Sequence, residues 1–600
     1  MHSFFSRFNK LLSSHVVVEY AIISVTLLIV GLLFTWPSGL YLTTHLIGDG
    51  GDHHQFSYNQ VALYERITSG EYFLSHSYDL RYPVGFDLGV GFDGGFVVFV
   101  GVLLLFFVGQ PLAFNISVLI AYLVSALFSY ILAKQLTKSK LVAFIGAVVY
   151  GFSFYVLARG AGHNNLLFTA GWPLFAYAWL RIIKSKHISF MHSIVSAFGL
   201  FFLTLGSLQY ALMLSFVFPL VVVAFAVFHP AQFGTLLKKI STSWKPLLAS
   251  HLVFASFFIW YVSPYMNAFV SGNWNEKGSV HEIALDHDVE LMDFLVPNSF
   301  MPLFITFLTG KSEKIGLENS VFVGWIEIVF LFCFLLSRYR FSIKGFLGSV
   351  LFSVWTVALG VTEFGMTWAY QYLAHFVPFA QITEPGRFVV VIQLIIMVMI
   401  VLILDGIRDK SRQFLLALIV LAVVIIERVP YRFFVVPVDM TFFSAIDQVP
   451  GTAVMNVPFN IHEAERDAIP TFTSKKIVDG YFHWAANTPD TRRFIDQPNA
   501  FIHRLSCEFG DLVMEIAREK YPFLTDDELA LLLNTDLIVQ MQKYDIQAIA
   551  HYKNKEYKWP QCQTTSTRVD ELLQQGKRGL LPKRFELIYS SETKDIYVLK

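Results

Sequence analysis

Long apolar runs recur along the chain from residue 16 to residue 427, and polar or charged stretches separate them. A helix needs roughly 20 apolar residues to cross the hydrocarbon core of a bilayer. The runs have about that length, so the pattern predicts an all-α polytopic membrane protein with about eleven spans. These are residues 16–36, 112–133, 141–158, 166–183, 190–206, 210–228, 247–264, 320–337, 346–361, 388–404 and 413–427.

One further apolar run, FVVFVGVLLLFFVG at residues 96–109, is too short for this pattern. Its length is typical of a re-entrant or interfacial segment. Counting it as a span would also move every later lysine-rich loop to the opposite side of the membrane. We therefore expect residues 96–109 to lie in, or dip into, the outer membrane face.

Basic residues indicate the orientation. With the N-terminus inside, the segments that face the cytoplasm contain 17 Lys and Arg residues, and each segment has at least two. This is the bias that positions loops on the cytoplasmic side. We expect a multi-pass protein of the plasma (inner) membrane, with residues 1–429 as its transmembrane domain. The long loops 37–111 and 265–319 and the domain 430–600 then lie outside.

Residues 430–600 lose the spanning pattern and predict a soluble α/β domain. Strand-like segments are GTAVMNVPF, KIVDGYF, DIQAIAHYK and the hairpin FELIYS/KDIYVLK. Helix-like segments are GDLVMEIAREKY, DDELALLLNTDLIVQMQKY and STRVDELLQQG. Cys507 and Cys562 belong to this domain, and an oxidising compartment would allow them to pair, but two cysteines leave the pairing open.

Composition agrees with a lipid bilayer as the main surroundings. Hydrophobic residues make up 55% of the chain and charged residues 15%, against about 25% charged in soluble proteins. The net charge is zero, which indicates no nucleic-acid partner.

Polar residues gather on the side predicted to be outside, beginning with IGDGGDHHQF at residues 47–56. Ionisable groups at membrane depth are costly and usually functional. The helical spacing of HQFSYNQVALYERITSG, which ends at Gly70, predicts a helix directly after this motif. The candidate site residues are Asp49, Asp52, His53, Arg159, His163, Gln209, Tyr210, Asp288, Glu384 and Arg387.

Structural alternatives stay open for several of them. Asp49 and Asp52 could cap the helix that follows. His163 could be a hydrogen-bonded interfacial residue, and Arg387 could anchor its span at the headgroup level. The acidic segment around Asp288 could be a solvated helix face.

The residue types suit transfer from a lipid-phosphate donor. An arginine neutralises the charge that develops on a leaving phosphate. A carboxylate takes the proton of the acceptor hydroxyl, and one such base is sufficient for inversion at a sugar carbon. Asp49 and Asp52, with His53 nearby, could also hold a divalent cation such as Mg²⁺ or Mn²⁺, although the spacing is a weak metal signature.

Several segments together resemble a known superfamily. They are GDGGDHHQF, RYPVGFDLG, GHNNLLFTAGWPLFAYAWLR, SLQYA, VELMDFLVPNSF, ENSVFVGWIEIVFL and PFAQITEPGRFVVV. Their order and loop side resemble the GT-C superfamily of integral membrane glycosyltransferases, in particular its YfhO-like members, over roughly residues 16–430.

The resemblance implies a polyprenyl-phosphate sugar donor and a glycan, lipid or protein acceptor. It makes Asp49 the first candidate base or metal ligand and Asp52 the second. Arg387, Arg159 and His163 become candidates for the donor phosphate, while Glu384, Gln209, Tyr210 and Asp288 are expected to bind substrate. A transporter or flippase is the rival class, but such proteins usually show repeats and broken helices at the midplane, which this sequence lacks. A silent glycan-binding or scaffold protein is a third possibility.

Overall fold

The computed structural model describes residues 15–72, 75–91, 94–270, 289, 291–297, 320–362, 365–366, 370, 384–430, 433–457, 464–479, 536–553 and 585–600. Asp288, both cysteines of the C-terminal domain and the predicted helices at 510–521 and 566–576 lie outside these residues.

Fifteen helices make up the described part of the N-terminal 430 residues. They are α1 (His15–Phe34), α2 (His53–Ser69), α3 (Gly95–Leu105), α4 (Leu112–Ala133), α5 (Lys140–Gly151), α6 (Phe154–Ala161), α7 (Gly171–Lys184), α8 (Phe190–Gly206), α9 (Leu208–Phe228), α10 (Pro230–Thr242), α11 (Trp244–Val270), α12 (Trp325–Leu336), α13 (Phe341–Ala358), α14 (Val389–Asp405) and α15 (Lys410–Arg428). Three further helices follow in the described part of the C-terminal domain, namely α16 (Met440–Asp447), α17 (Ala468–Phe472) and α18 (Asp536–Lys543).

The strands are short and lie at one end of the helical bundle. They are β1 (His45–Ile47), β2 (His76–Ser77), β3 (Phe86–Asp87), β4 (Val361–Thr362), β5 (Gly365–Met366), β6 (Val435–Pro437), β7 (Ala453–Val457), β8 (Lys476–Ile477), β9 (Ile546–Tyr552), β10 (Phe585–Ser590) and β11 (Lys594–Leu599).

Each of the eleven predicted spans overlaps a helix. In the described part of the chain, seven helices are long and apolar enough to cross a membrane, or eight if α5 and α6, bent by 44° at their junction, form one span. The protein is therefore a multi-pass helical membrane protein, and the count of eleven spans stays a prediction. The run at 96–109 forms the 11-residue α3, roughly 16 Å long and too short to cross.

Strands β1 and β6 join the segment that follows α1 to the segment that follows α15. They pair antiparallel, with Leu46 opposite Val436. Two paired segments lie on the same side of the membrane, so the chain must cross it an even number of times between them. The ten predicted spans from residue 112 to residue 427 meet this condition, whereas an eleventh crossing by α3 would not.

The opposite end of the bundle collects basic side chains, and we call it the basic pole. Glu19 Oε2 lies 2.6 Å from Lys140 Nζ, and its Oε1 lies 3.7 Å from Lys134 Nζ. Lys184 Nζ donates to the carbonyl of Gln135 at 2.8 Å, and Lys239 Nζ donates to that of Ile183 at 2.8 Å. The ends of α1, α4, α7 and α10 therefore meet at this pole, as the basic bias of the loops predicts.

The described part of the C-terminal domain contains a five-stranded sheet in the order β10-β11-β9-β7-β8, in which β7 is parallel to β8 and β9. The predicted strands and the terminal hairpin are confirmed. The loop after α2 extends this sheet, because Arg81 N–H donates to Asp479 O at 2.9 Å and Ile477 N–H donates to Asp79 O at 2.7 Å. One apolar cluster contains side chains of both parts, including Tyr58 and Ile477. The domain thus lies on the same side of the membrane as β1 and α2.

Candidate functional site

The GDGGD loop, residues 48–52, lies between β1 and α2 and is held by backbone contacts on both flanks. Gly48 N–H donates to Phe434 O at 3.0 Å, and Asp49 N–H donates to Ala161 O at 2.7 Å. The second bond joins the loop to the last residue of α6. The loop therefore has a fixed position against the helix that carries Arg159.

Asn115, near the start of α4, holds the segment that leads into the loop. Its Oδ1 accepts the N–H of Ile47 at 2.9 Å, and its Nδ2 donates to Leu42 O and His45 O at 2.8 and 2.7 Å. The side chain is fully buried. Asn115 is not among the predicted site residues, and its one signal in the sequence is an amide within an otherwise apolar run.

Asp49 faces a neutral histidine. Its Oδ1 accepts the N–H of Gly51 at 3.0 Å and lies 3.7 Å from His53 Nδ1. His53 Nε2 accepts the N–H of Gly50 at 2.9 Å, so we assign the ring proton to Nδ1, on the side of Asp49. Burial, and then the neighbouring His54, hold the pKa of His53 well below its usual value. His53 is therefore neutral and directs an N–H toward the carboxylate.

Asp52 faces a second histidine in the same manner. His163 Nε2 lies 3.9 Å from Asp52 Oδ2, and Arg159 Nη1 lies 3.2 Å from His163 Nδ1. Arginine only donates, so Nδ1 accepts and the ring proton of neutral His163 lies on Nε2. Asp52 occupies the N-cap position of α2 but makes no side-chain capping hydrogen bond. The structure thus shows no helix-capping role for this carboxylate.

Arg159 lies behind His163. Its side chain is fully buried and its guanidinium lies 4.9 Å from the centre of the Tyr155 ring. In this arrangement the arginine fixes the histidine, and the partly exposed members of the group are Asp49, Asp52 and His163, at 22%, 32% and 22%.

The predicted metal set of Asp49, Asp52 and His53 is not assembled as a binding site. Among the described residues, no three His, Cys, Asp or Glu side chains are arranged to hold a metal ion. His53 has one nitrogen occupied by Gly50 N–H and the other protonated, so it offers no lone pair to a cation. The residues as placed do not fit a metal centre.

A second polar group surrounds Arg387, which lies in the turn Pro385–Phe388 before α14. Arg387 Nη1 donates to Gln209 Oε1 at 2.6 Å and lies 3.1 Å from Glu384 Oε2. Both charged side chains are 7% exposed. Three residues predicted from two segments of the sequence therefore meet, and the arginine is oriented by a carboxylate and an amide.

Tyr210 connects the two groups from within the core. Its hydroxyl lies 3.2 Å from that of Tyr155 and donates to Leu166 O. Tyr155 in turn packs under Arg159, and Gln209 next to Tyr210 contacts Arg387. Tyr210 is fully buried, so the structure places this predicted substrate-binding residue behind the site.

No protein-family model matches the sequence, and no curated protein shows significant similarity to it. Among solved structures, the archaeal oligosaccharyltransferase AglB of Archaeoglobus fulgidus, in complex with an inhibitory peptide and a dolichol-phosphate, is similar at 11% identity and a TM-score of 0.46. That match covers 88% of this chain and 69% of the other. An oligosaccharyltransferase of Archaeoglobus fulgidus in complex with Zn and sulfate is similar at 12% identity and a TM-score of 0.42, over 88% of this chain and 67% of the other.

The mycobacterial arabinofuranosyltransferase AftD is similar at 11% identity and a TM-score of 0.43, over 96% of this chain and 41% of the other. Similarity at this level does not define an activity, so the function of this chain rests on the geometry of its own site.

Proposed function

We propose that this protein is a membrane glycosyltransferase that moves a sugar from a polyprenyl-phosphate donor to an acceptor hydroxyl, with inversion, on the extracytoplasmic face. The observation that carries the proposal concerns two carboxylates of the GDGGD loop. Asp49 faces His53, and Asp52 faces His163. Each carboxylate is exposed to an incoming hydroxyl and faces the N–H of a neutral imidazole. A buried arginine group, Arg387 with Glu384 and Gln209, lies on the same side of the bundle.

In the proposed reaction Asp49 accepts the proton of the acceptor hydroxyl. The hydroxyl oxygen forms a bond to the anomeric carbon while the bond between that carbon and the phosphate oxygen breaks. The electron pair of the broken bond goes to the phosphate, where Arg387 neutralises the developing charge. Asp52, oriented by His163, is the second candidate base and is placed to hold the acceptor hydroxyl. No step is assigned to a divalent cation, because the donor set does not fit one.

The test is turnover of purified protein in nanodiscs with a panel of polyprenyl-phosphate sugars. Asp49→Asn keeps the shape of the side chain but cannot take a proton, so we expect a loss of roughly 10²–10⁴-fold with donor binding unchanged. Asp409→Asn is the matched control, because Asp409 caps α15 at the basic pole and asparagine caps equally well. Normal turnover of Asp49→Asn would remove Asp49 as the base. Movement of an intact lipid-linked sugar across the membrane without transfer would favour the flippase alternative.

The orientation is part of the proposal. A reporter fused after Lys600 and one inserted after Gly70 should both read as extracytoplasmic, and one inserted after Lys186 should read as cytoplasmic. The pairing of β1 with β6 requires the first two reporters to agree with each other. A cytoplasmic reading for both would reverse the predicted orientation and move the chemistry to the other face.

A further inference from the structure

A groove distinct from the GDGGD loop lies between α2, the end of α3 and α17. Its volume is about 530 Å³, within the range of small-molecule sites. We call it the interfacial groove. It is lined by Val61, Tyr64, Glu65, Leu105, Phe106, Phe107, Val108, Gly109, Gln110, Thr471 and Phe472.

One end of the groove faces lipid and the other faces the soluble domain. Leu103, in the last turn of the short apolar helix α3, is 64% exposed, and Phe107, two residues past the end of that helix, is 85% exposed. Phe472, on the opposite wall, stacks on Phe443 within the C-terminal domain at 5.1 Å between ring centres. A ligand in the groove would therefore have an apolar part in the membrane and a polar part in water.

The polar lining is acidic or neutral. Glu65, Gln110 and Thr471 supply oxygen and amide groups, and among the described lining residues there is no Lys or Arg. Gln110 is held in place because its Nε2 donates to Gln60 Oε1 at 2.8 Å, while Gln60 Nε2 donates to Ser117 Oγ at 3.1 Å. A phosphate would meet the Glu65 carboxylate here, with no basic side chain in the described lining to neutralise it, which disfavours an anionic headgroup.

Aromatic rings form the walls beside these polar groups. Tyr64 and Phe106 meet edge to face at 5.0 Å between ring centres. Rings that cover the apolar C–H face of a sugar, with carboxylate and amide groups that bind its hydroxyls, suit an uncharged carbohydrate. The polar lining and the aromatic walls of the groove therefore both favour an uncharged carbohydrate as the ligand.

We propose that the interfacial groove binds an uncharged sugar unit of a membrane-anchored acceptor. This inference rests on the proposed glycosyltransferase function. Glu65 lies twelve residues after His53 on α2, roughly 18 Å along the helix. The groove therefore holds a sugar that is not the one reacting at the GDGGD loop, and it positions an elongated acceptor that reaches from the groove to the site.

The test uses photolabelling, which requires no turnover. Protein in nanodiscs is irradiated with octyl glucoside that carries a diazirine in its alkyl chain, and the labelled peptides are identified by mass spectrometry. Octyl phosphate and octanol with the same diazirine are the comparison probes. We expect the glucoside to label residues 61–72 and 103–110 more strongly than either comparison probe.

Glu65→Lys should lower glucoside labelling of the groove roughly tenfold or more, as expected for loss of a hydrogen bond to a charged group, and should admit octyl phosphate. Glu592→Lys makes the same charge change at an exposed position of the C-terminal hairpin, outside the groove and the labelled segments, and should leave labelling unchanged. Asp49→Asn should also leave labelling unchanged.

Equal labelling by octanol, or unchanged glucoside labelling in Glu65→Lys, would overturn the inference. Failure of the glycosyltransferase itself gives a different result, because wild-type protein would then label in the groove yet transfer no sugar from any donor in the panel.

Discussion

Arg159 and His163, one helical turn apart in the sequence, form a pair in which the buried guanidinium donates to the imidazole at 3.2 Å. The bond leaves the proton of His163 on the nitrogen that faces Asp52. A fully buried cation thereby sets the direction of a polar group at the surface of the site.

The first prediction follows from this pair. Arg159→Met and His163→Phe should each lower kcat by roughly 10²-fold with little change in KM for the donor, because both remove the oriented N–H that faces Asp52. The double variant should be no slower than either single variant, since the two residues act as a unit. Steady-state kinetics in nanodiscs measures this, with the exposed His187→Phe as control. Additive losses would show that Arg159 and His163 act independently.

The second prediction concerns pH and His53. Burial lowers the pKa of His53 well below its usual value of 6.5, so the folded protein keeps the ring neutral while the unfolded chain takes up a proton. The free energy of unfolding should therefore decrease as pH falls below about 6.5, by up to ~1.4 kcal/mol per pH unit from this group. Thermal unfolding between pH 8 and pH 5 measures the slope. His53→Gln should reduce this slope, and an unchanged slope in His53→Gln would contradict the assignment.

The third prediction concerns Gly48. Its φ is +141°, and an added Cβ would lie 2.5 Å from His53 Nδ1. Gly48→Ala should therefore displace His53 and Asp49 and lower turnover strongly, with backbone strain of about 1–3 kcal/mol. Gly70→Ala is the matched control, because Gly70 also has a positive φ, +77°, but its Cβ would meet nothing within 4 Å. If the two variants lose equal activity, backbone strain alone explains the loss, and displacement of His53 does not contribute to it.

The fourth prediction tests Arg387 as the residue that holds the donor phosphate. Arg387→Lys keeps the charge but loses the planar fork that contacts Gln209 and Glu384, so it should reduce kcat/KM. Arg387→Ala should reduce it further, by roughly 2–4 kcal/mol in transition-state stabilisation. Arg338→Ala at the basic pole is the control. Wild-type kinetics in both Arg387 variants would place the phosphate elsewhere.

The fifth prediction concerns a buried ion pair that supports the site from within the bundle. Arg428 contacts Glu327 with both side chains fully buried, while Glu427 accepts the backbone N–H of Trp325. Arg428→Leu leaves buried carboxylates without their cation and should cost about 3–5 kcal/mol of stability. Arg412→Leu removes an ion pair with Asp409 in which the Arg412 side chain is 84% exposed. This change should lower the free energy of unfolding by at most ~1 kcal/mol. Thermal unfolding compares the two, and similar losses would mean that the buried pair contributes little.

Local patterns in the sequence predicted helices and strands that the structure shows, and they indicated some of the polar groups that it brings together. Gly70 ends α2 in the left-handed conformation, as its position after an apolar-periodic segment predicts. The separation of FELIYS from KDIYVLK by a short polar turn predicts the β10–β11 hairpin, which the structure confirms. Arg387, Glu384 and Gln209 were predicted as site residues because they are polar groups at the ends of spans. In the structure Arg387 contacts both of the others.

Contacts between distant segments could not be predicted in this way. The bonds from Asn115 to Ile47, from Arg428 to Glu327 and between β1 and β6 join residues separated by 68, 101 and roughly 390 positions. Hydrophobic periodicity reports which face of a helix is buried but not which partner buries it. For the same reason the sequence could not show that Arg159 and Tyr210 lie behind the site.

The pairing of β1 with β6 has a consequence for synthesis. Gly48, one residue before the proposed base, is held by the carbonyl of Phe434, which leaves the ribosome almost 400 residues later. The GDGGD loop therefore cannot reach its final position until the last helix has been inserted. A chain truncated before Phe434 would have the carboxylates but not this contact, so the loop reaches its final geometry only after β6 has been synthesised.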